Sequence, residues 1–450
     1  MHHTHIRWPR PKWQFATFCS LLALCAVFVA ACGGSSSNSN TSSNSNVSSN
    51  SNAPITVWID ADRMTAVNDF KQAFPAQASK INAVVVDRNQ FPAKVLLENN
   101  INSGWPDVVF AEPDLVAQVS DAAHHFSLDL SPYVSADIQK NFAGLDSCRV
   151  NGKLVCLRND LAQFVLWYNV PLMKQFGYTV PTTWEEYQAL GLRVAKEHPG
   201  YIIGEFADAF TLDEYFWGGQ CPVHQVTGDT LYTNLASPKC TRMANMLDTL
   251  LPTGVLSKKS GYFDAGMTTL GNENKILMLL GPSWMAQAVF KGTYYKTPNH
   301  QLAAAAPLKW QADAQAYTGA LGGAAWTVSN HTKNTQLAVD FVKWVTTSPV
   351  YLGHAPNFPA YLPVANVWAQ TVANDPIFAS DPYPVLKQAA TEIDPTYSYV
   401  RFDDRTIFGT SVVTPVITSG GTIISKLPSY QSQLTSLAEA QGYQVTNTTP

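Results

Sequence analysis

Ile55-Thr56-Val57-Trp58-Ile59, held between Pro54 and Asp60, is the run whose reading decides the fold. Its β-branched and aromatic residues favour a strand. Residues 62–74 follow with Val67, Phe70, Ala73 and Phe74 at helical spacing. Ile81 to Val86 reads as a second strand, Lys94 to Asn102 as a short helix stopped by Ser103-Gly104, and Val108-Val109-Phe110 as a third strand. Strands alternating with helices predict βαβ units and a largely parallel, buried sheet.

The same alternation resumes downstream. Phe164 to Tyr168 predicts a strand, and Trp184 to Lys196 a helix whose start carries Thr183 as N-cap and Glu186 three residues on, a capping box. Lys275 to Leu280 predicts a strand that Gly281-Pro282 turns into a helix through Trp284 and Val289. Ala325 to Val328 predicts a strand, Gln336 to Thr346 a helix, and Ser429 to Gly442 a closing amphipathic helix. No fixed-period repeat is present.

Upstream of Ile55 the composition changes sharply. Arg7, Arg10 and Lys12 precede an apolar stretch from Phe15 to Ala31, the build of a secretory signal. Val29-Ala30-Ala31-Cys32 resembles the lipobox of bacterial lipoproteins, which implies cleavage before Cys32 and a diacylglycerol on its thiol; the alternative is an ordinary cysteine of the apolar region, like Cys19 or Cys25. Residues 33–53 are nearly all Gly, Ser, Asn and Thr. With no apolar surface to bury they are expected to form a disordered tether.

The chain has 450 residues, 46% hydrophobic and 14% charged, with net charge −4. Loss of the three basic residues of segment 1–31 brings this to about −7. That length exceeds what one core usually serves, so two lobes are expected. An acidic balance without a Lys/Arg cluster argues against nucleic acid. Cys148, Cys156, Cys221 and Cys240 remain beyond the tether, an even number suited to disulfides outside the cytoplasm. Asn151-Gly152 is a hairpin turn signal between Cys148 and Cys156. It favours Cys148–Cys156 with Cys221–Cys240, although three connectivities remain open and a zinc site is the alternative.

Six segments now fall in order. Ser103-Gly104-Trp105-Pro106-Asp107-Val108-Val109, then Asn151-Gly152-Lys153 with Leu157-Arg158-Asn159-Asp160, then Leu166-Trp167-Tyr168-Asn169 come first. Pro181-Thr182-Thr183-Trp184-Glu185-Glu186, Leu280-Gly281-Pro282-Ser283-Trp284 and Ala338-Val339-Asp340-Phe341-Val342-Lys343-Trp344 follow. Together they resemble the solute-binding lipoproteins of ABC transporters, family 1, the maltose-binding-like group, over about residues 55–347. Two departures stand out: Asn159 occupies a position where the family has Tyr, and Ser283 is inserted before Trp284.

The resemblance implies a two-lobe, periplasmic-binding-protein-like type II α/β fold. Each lobe is a mostly parallel sheet flanked by helices, hinge-linked around a cleft. It implies lobe 1 over 54–161 plus 320–372 and lobe 2 over 162–319 plus 373–450, after a signal at 1–31 and a lipidated linker at 32–53. It also implies capture of a sugar or oligosaccharide for an ABC import permease, an anchored extracytoplasmic location, a monomer, and no enzymatic activity, cofactor or metal. A polyamine, anion or metal chelate in the same fold is the alternative ligand. An exported carbohydrate-active hydrolase using a carboxylate pair such as Asp60 and Asp160 is the alternative class. GxxxxGK[ST], HExxH, GxSxG and GxGxxG are absent from the sequence.

Ligands of such sheets sit beyond strand ends, and sugars call for aromatic planes beside directional polar groups. Asp60 and Arg63 follow the first strand; for Asp60 a helix N-terminal role is the alternative. Glu112 and Asp114 follow the third. Asp160, with Gln163 along the same edge, precedes the Phe164 strand, and Trp284 follows a strand at a Gly-Pro turn. Asp208 and Phe210, with Phe216 or Trp217, follow the segment Ile202–Glu205. Gly323, after Gly322, is a point where a ligand can approach backbone, next to Trp326, read as core. Tyr361 and Arg401 complete the candidates.

Overall fold

The computed structural model describes residues 52–87, 90–120 and 124–448. Cys32, the signal and the tether up to Ser51 lie outside the described residues. Strand β1 (Ile55–Ile59) leads through a 3₁₀ turn at Ala61–Arg63 into α1 (Met64–Ala73); β2 (Ile81–Val85), α2 (Phe91–Ile101), β3 (Val108–Ala111) and α3 (Pro113–Val119) follow. Farther along come β4 (Leu157–Arg158), β5 (Phe164–Asn169), α4 (Trp184–Glu197), α5 (Pro238–Leu250), β6 (Met278–Pro282), β7 (Leu302–Ala305) and β8 (Ala325–Val328). Helices α6 (Thr335–Thr347), α7 (Asp404–Phe408) and α8 (Ile423–Ala440) come next, and a short strand at Gln444–Thr446 follows them. Among the described residues no helix is long and apolar enough to cross a membrane.

The first sheet has the order β2-β1-β3-β8-β4. β1 runs parallel to β2 and β3, whereas β8 is antiparallel to both β3 and β4. The register Ala325↔Ala111 and Ala325↔Arg158 brings the start of β8 to the same rim as the ends of β3 and β4. The second sheet, β6-β5-β7, is antiparallel throughout. The expectation of mostly parallel sheets therefore holds for β1–β3 and is corrected elsewhere: the first sheet is mixed and the second is antiparallel. Apolar patterning reports that a strand is buried on both faces but carries no information on its direction.

β5 shows why the second sheet is apolar on both sides. Val165 and Trp167 join one cluster of buried side chains, which also holds the β1–β3 and α6 residues. Leu166 joins another, with Tyr187 and Val194 of α4, Leu247 of α5 and Leu434 of α8. Alternation along one strand thus ties two cores together.

Local sequence signals are realised closely. Thr183 Oγ1 accepts the Glu186 N–H at 3.1 Å while the Glu186 carboxylate accepts the Thr183 N–H at 3.3 Å. Asn151 and Gly152 both adopt positive φ, 49° and 76°, at the turn between the short paired strands Arg149–Val150 and Lys153–Leu154. That geometry is the one such a two-residue hairpin requires. The disulfides are Cys148–Cys156 and Cys221–Cys240, so these four sulfurs are not metal ligands. α8 begins at Ile423 rather than Ser429, with Pro428 inside it, because the Asp248 carboxylate accepts the Ile423 and Ile424 N–H groups at 2.6 and 3.1 Å. The strand that was expected to end before Gly281-Pro282 includes both residues.

The Cys148–Cys156 loop predicts its own contribution to stability. Chain-entropy arguments for a loop this short give about 2–3 kcal/mol. Replacing both cysteines by serine should lower the unfolding free energy in urea by that amount. An unchanged midpoint and slope would show that the hairpin is held without the bond.

Candidate ligand-binding cleft

At the common rim of the first sheet, four chain segments converge: residues after β1, after β3, after β4 and before β8. With residues near the end of β6 and on α7 they enclose a cavity of about 870 Å³, within the range of ligand pockets. Arg63, Glu112, Asp114, Asp160, Phe210, Trp284 and Gly323 all line it. Of the residues expected at the site, these seven are brought together.

Arg63 and Asp160 form one wall. The Arg63 side chain is 8% exposed and lies over the Phe110 ring, 4.5 Å from its centroid. Its Nη2 is 3.6 Å from Asp160 Oδ2. Burial, the largest single influence, would lower the guanidinium's pKa, but Asp160 together with Tyr351, Asp60 and Asp62 outweighs it, and the net effect is a rise. Asp160 Oδ2 also accepts the side-chain amides of Asn159 at 3.1 Å and Asn357 at 2.8 Å. Asp160 Oδ1 is buried with no hydrogen-bond partner among the described residues. Arg158 braces this loop from behind, donating to the Asp160 carbonyl through Nε and Nη2 at 3.2 and 3.1 Å.

The facing elements bring aromatic side chains and a second arginine. Trp284 Nε1 donates to the Leu321 carbonyl at 2.8 Å, and its ring lies within 10° of parallel to Phe263, centroids 5.9 Å apart. Phe263, Asn357 and Arg405 line the cavity although none was expected there. Phe263 is 41% exposed, which its neighbours in sequence do not signal. Arg405 Nε is 2.8 Å from Asp213 Oδ2, and its Nη1 is 3.4 Å from Asp114 Oδ2. Burial raises the Asp114 carboxyl above the usual range, with Arg405 opposing it. Burial likewise raises Asp213 to about 6 against the pull of Arg405.

Five expected site residues have other roles. Asp60 caps the 3₁₀ turn, accepting the Arg63 N–H at 3.0 Å, so it positions Arg63 and does not line the cavity. Gln163 is fully buried and donates to the Leu386 carbonyl at 2.7 Å. Asp208 Oδ1 accepts the Phe210 N–H at 2.8 Å and thereby sets the turn that presents Phe210. Tyr361 packs on Phe142, centroids 5.0 Å apart. Arg401 pairs with Asp229 and lies 4.6 Å over the Tyr443 ring. Phe216 and Trp217 are core, and so is Trp326.

Gly323 lines the cavity, yet its lack of a side chain answers a different need from the one expected. At φ 74° a Cβ would collide with the Arg158 guanidinium and the Leu161 carbonyl. Protein packing, not ligand approach, excludes larger residues there. Among the described residues no group of three or more His, Cys, Asp or Glu is placed to hold a metal ion.

A binding fold of two α/β lobes around a cavity is what these elements define. Solved structures agree at the level of fold. The ABC transporter associated binding protein from B. animalis subsp. lactis Bl-04, in complex with β-1,6-galactobiose, superposes with a TM-score of 0.72 at 18% identity, covering 87% of this chain and 99% of that one. The galacto-N-biose-/lacto-N-biose I-binding protein from Bifidobacterium longum, in complex with lacto-N-biose, gives 0.72 at 18%, covering 88% and 100%. In sequence, the multiple sugar-binding protein of Streptococcus mutans is 22% identical over 347 residues, 73% of this chain and 77% of that protein. Residues 65–382 match the family described as bacterial extracellular solute-binding protein, and the chain belongs to that family.

Asp208 yields a prediction about pH. Burial, with Asp264 adding to it, raises its carboxyl to about 6, against about 3.9 in an unfolded chain. The folded state holds this proton more tightly, so its contribution to stability is present at low pH and lost as pH rises through about 6. Asp208→Asn keeps an oxygen for the Phe210 N–H and removes the desolvated charge. Its melting temperature should exceed wild type at pH 7.5 and equal it near pH 4. The same difference at both pH values would contradict this.

Proposed function

We propose that this protein is an extracytoplasmic receptor that captures a sugar or oligosaccharide and delivers it to an ABC import permease. One observation carries the sugar reading: the near-parallel Phe263 and Trp284 rings share a cavity with hydrogen-bonding carboxylates and guanidinium groups. Sugars present C–H faces to aromatic planes and hydroxyls to Asp and Arg, where charge-assisted bonds are strongest. The sugar ligands of the relatives above support the same class.

In this reading Trp284, Phe263 and Phe210 stack on ligand faces. Asp160, Asp114 and Glu112 accept from hydroxyls, Asp160 through Oδ1, and Arg63 and Arg405 donate. Asn357 holds Asp160 in place. The lobes comprise 54–161 with 320–372, and 162–319 with 373–450. Cys32 carries the lipid, and the Ser/Asn-rich tether keeps the receptor near its permease at high local concentration. The protein acts as a monomer and performs no chemistry on its ligand.

A panel of mono- and oligosaccharides, polyamines and anions followed by thermal shift tests the ligand class. A bound sugar at a hundredfold excess over Kd should stabilise by about 2.7 kcal/mol. A shift with a polyamine or anion and none with any sugar would overturn the reading. For the sugar found, Trp284→Ala should weaken binding tenfold or more, about 1–3 kcal/mol, and unchanged affinity would place the ring outside the contact surface. Cys32→Ser should release the protein from the membrane and leave its affinity in solution unchanged; retention on membranes would contradict the anchor.

A further inference from the structure

Asp114 and Arg405 stand on opposite sides of the cavity. Asp114 is in the first turn of α3, directly after β3 of the first sheet. Arg405 is on α7, whose Phe408 is buried in the second core with Phe216 and Tyr430. The two residues are distant in sequence, yet both line the cavity.

The contacts of Arg405 differ in kind. Asp213 grips the guanidinium side-on, at 2.8 Å to Nε and 3.4 Å to Nη2. Asp213 is 2% exposed and sits in a π-helical turn at Leu212–Trp217, whose buried residues include Leu212 and Phe216 of the second core. Asp114 makes one longer contact, 3.4 Å to Nη1, and is 19% exposed. The arginine is thus built into the second lobe by Asp213 and reaches the first through Asp114. Parting the rims breaks the weaker contact and leaves Arg405 neutralised by Asp213, so opening strands no buried charge.

We propose that Asp114 and Arg405 form a latch across the cleft that sets the balance between closed and open receptor, and thereby its affinity. A ligand that needs the closed form binds with an apparent Kd equal to the intrinsic Kd divided by the closed fraction. A contact that stabilises closure therefore tightens binding without any added contact to the ligand. The Trp284 Nε1 bond to the Leu321 carbonyl, 2.8 Å, also spans the proposed lobes, but it joins neutral groups and so lacks the salt dependence that marks the Asp114–Arg405 pair. The latch rests on the two-lobe reading and is independent of which solute binds.

The test is made on ligand-free protein, so failure of the sugar reading does not affect it. Small-angle scattering at low ionic strength should give Asp114→Asn a larger radius of gyration than wild type. High salt, which screens the partly exposed pair, should move wild type towards the variant and leave the variant unchanged. Asp114→Glu, which keeps the charge, should restore the wild-type profile. Scattering of Asp114→Asn identical to wild type at low salt would overturn the proposal. So would a lowered melting temperature with unchanged scattering, the signature of a residue that only stabilises its own lobe.

Discussion

Two guanidinium groups at the wall of one cavity set the terms for everything around them. A buried cation needs a carboxylate within reach, and each arginine has one: Asp160 for Arg63, Asp213 for Arg405. Those pairings fix where the carboxylates stand, and the surrounding amides and turns are arranged to hold them. Asn357 and Asn159 donate to Asp160, Arg158 fastens the loop carrying it, and Gly323 leaves room for Arg158. A rigid polar wall of this kind loses little freedom when a ligand arrives, which favours binding.

The fold supplies this wall through one topological feature. Because β8 runs antiparallel to β3 and β4, its leading residues Gly322–Ala324 arrive at the rim where Glu112 and Asp160 leave it. A parallel β8 would send those residues to the opposite edge. β5, with one face in each core, carries the connection from that rim into the second lobe.

How much of this was legible in sequence depended on range. The capping box at Thr183–Glu186 and the hairpin at Asn151-Gly152 are settled by neighbours within four residues, and both are present as read. Arg63, Glu112, Asp114, Asp160 and Trp284 were legible as cavity residues because each lies just past a strand, and strand ends can be read from apolar runs. Asp60, Asp208 and Gln163 share that signature but are occupied by backbone groups, and pattern alone does not separate a capping acid from one facing the cavity. Arg405, Phe263 and the start of α8 were not legible, since their partners are far along the chain; Asp248 caps α8 from 175 residues away. The direction of β8 was hidden for the same reason.

The central claim is that a sugar lies in the cavity between the Trp284–Phe263 rings and the Arg63–Asp160 wall. A crystal structure of the protein soaked with the oligosaccharide it binds most tightly tests that claim directly. The account predicts a pyranose ring against Trp284 and a ligand hydroxyl within hydrogen-bond distance of Asp160 Oδ1. Ligand density elsewhere, for instance in the groove lined by Thr233, Leu427 and Gln431, with this cavity holding only water, would contradict it.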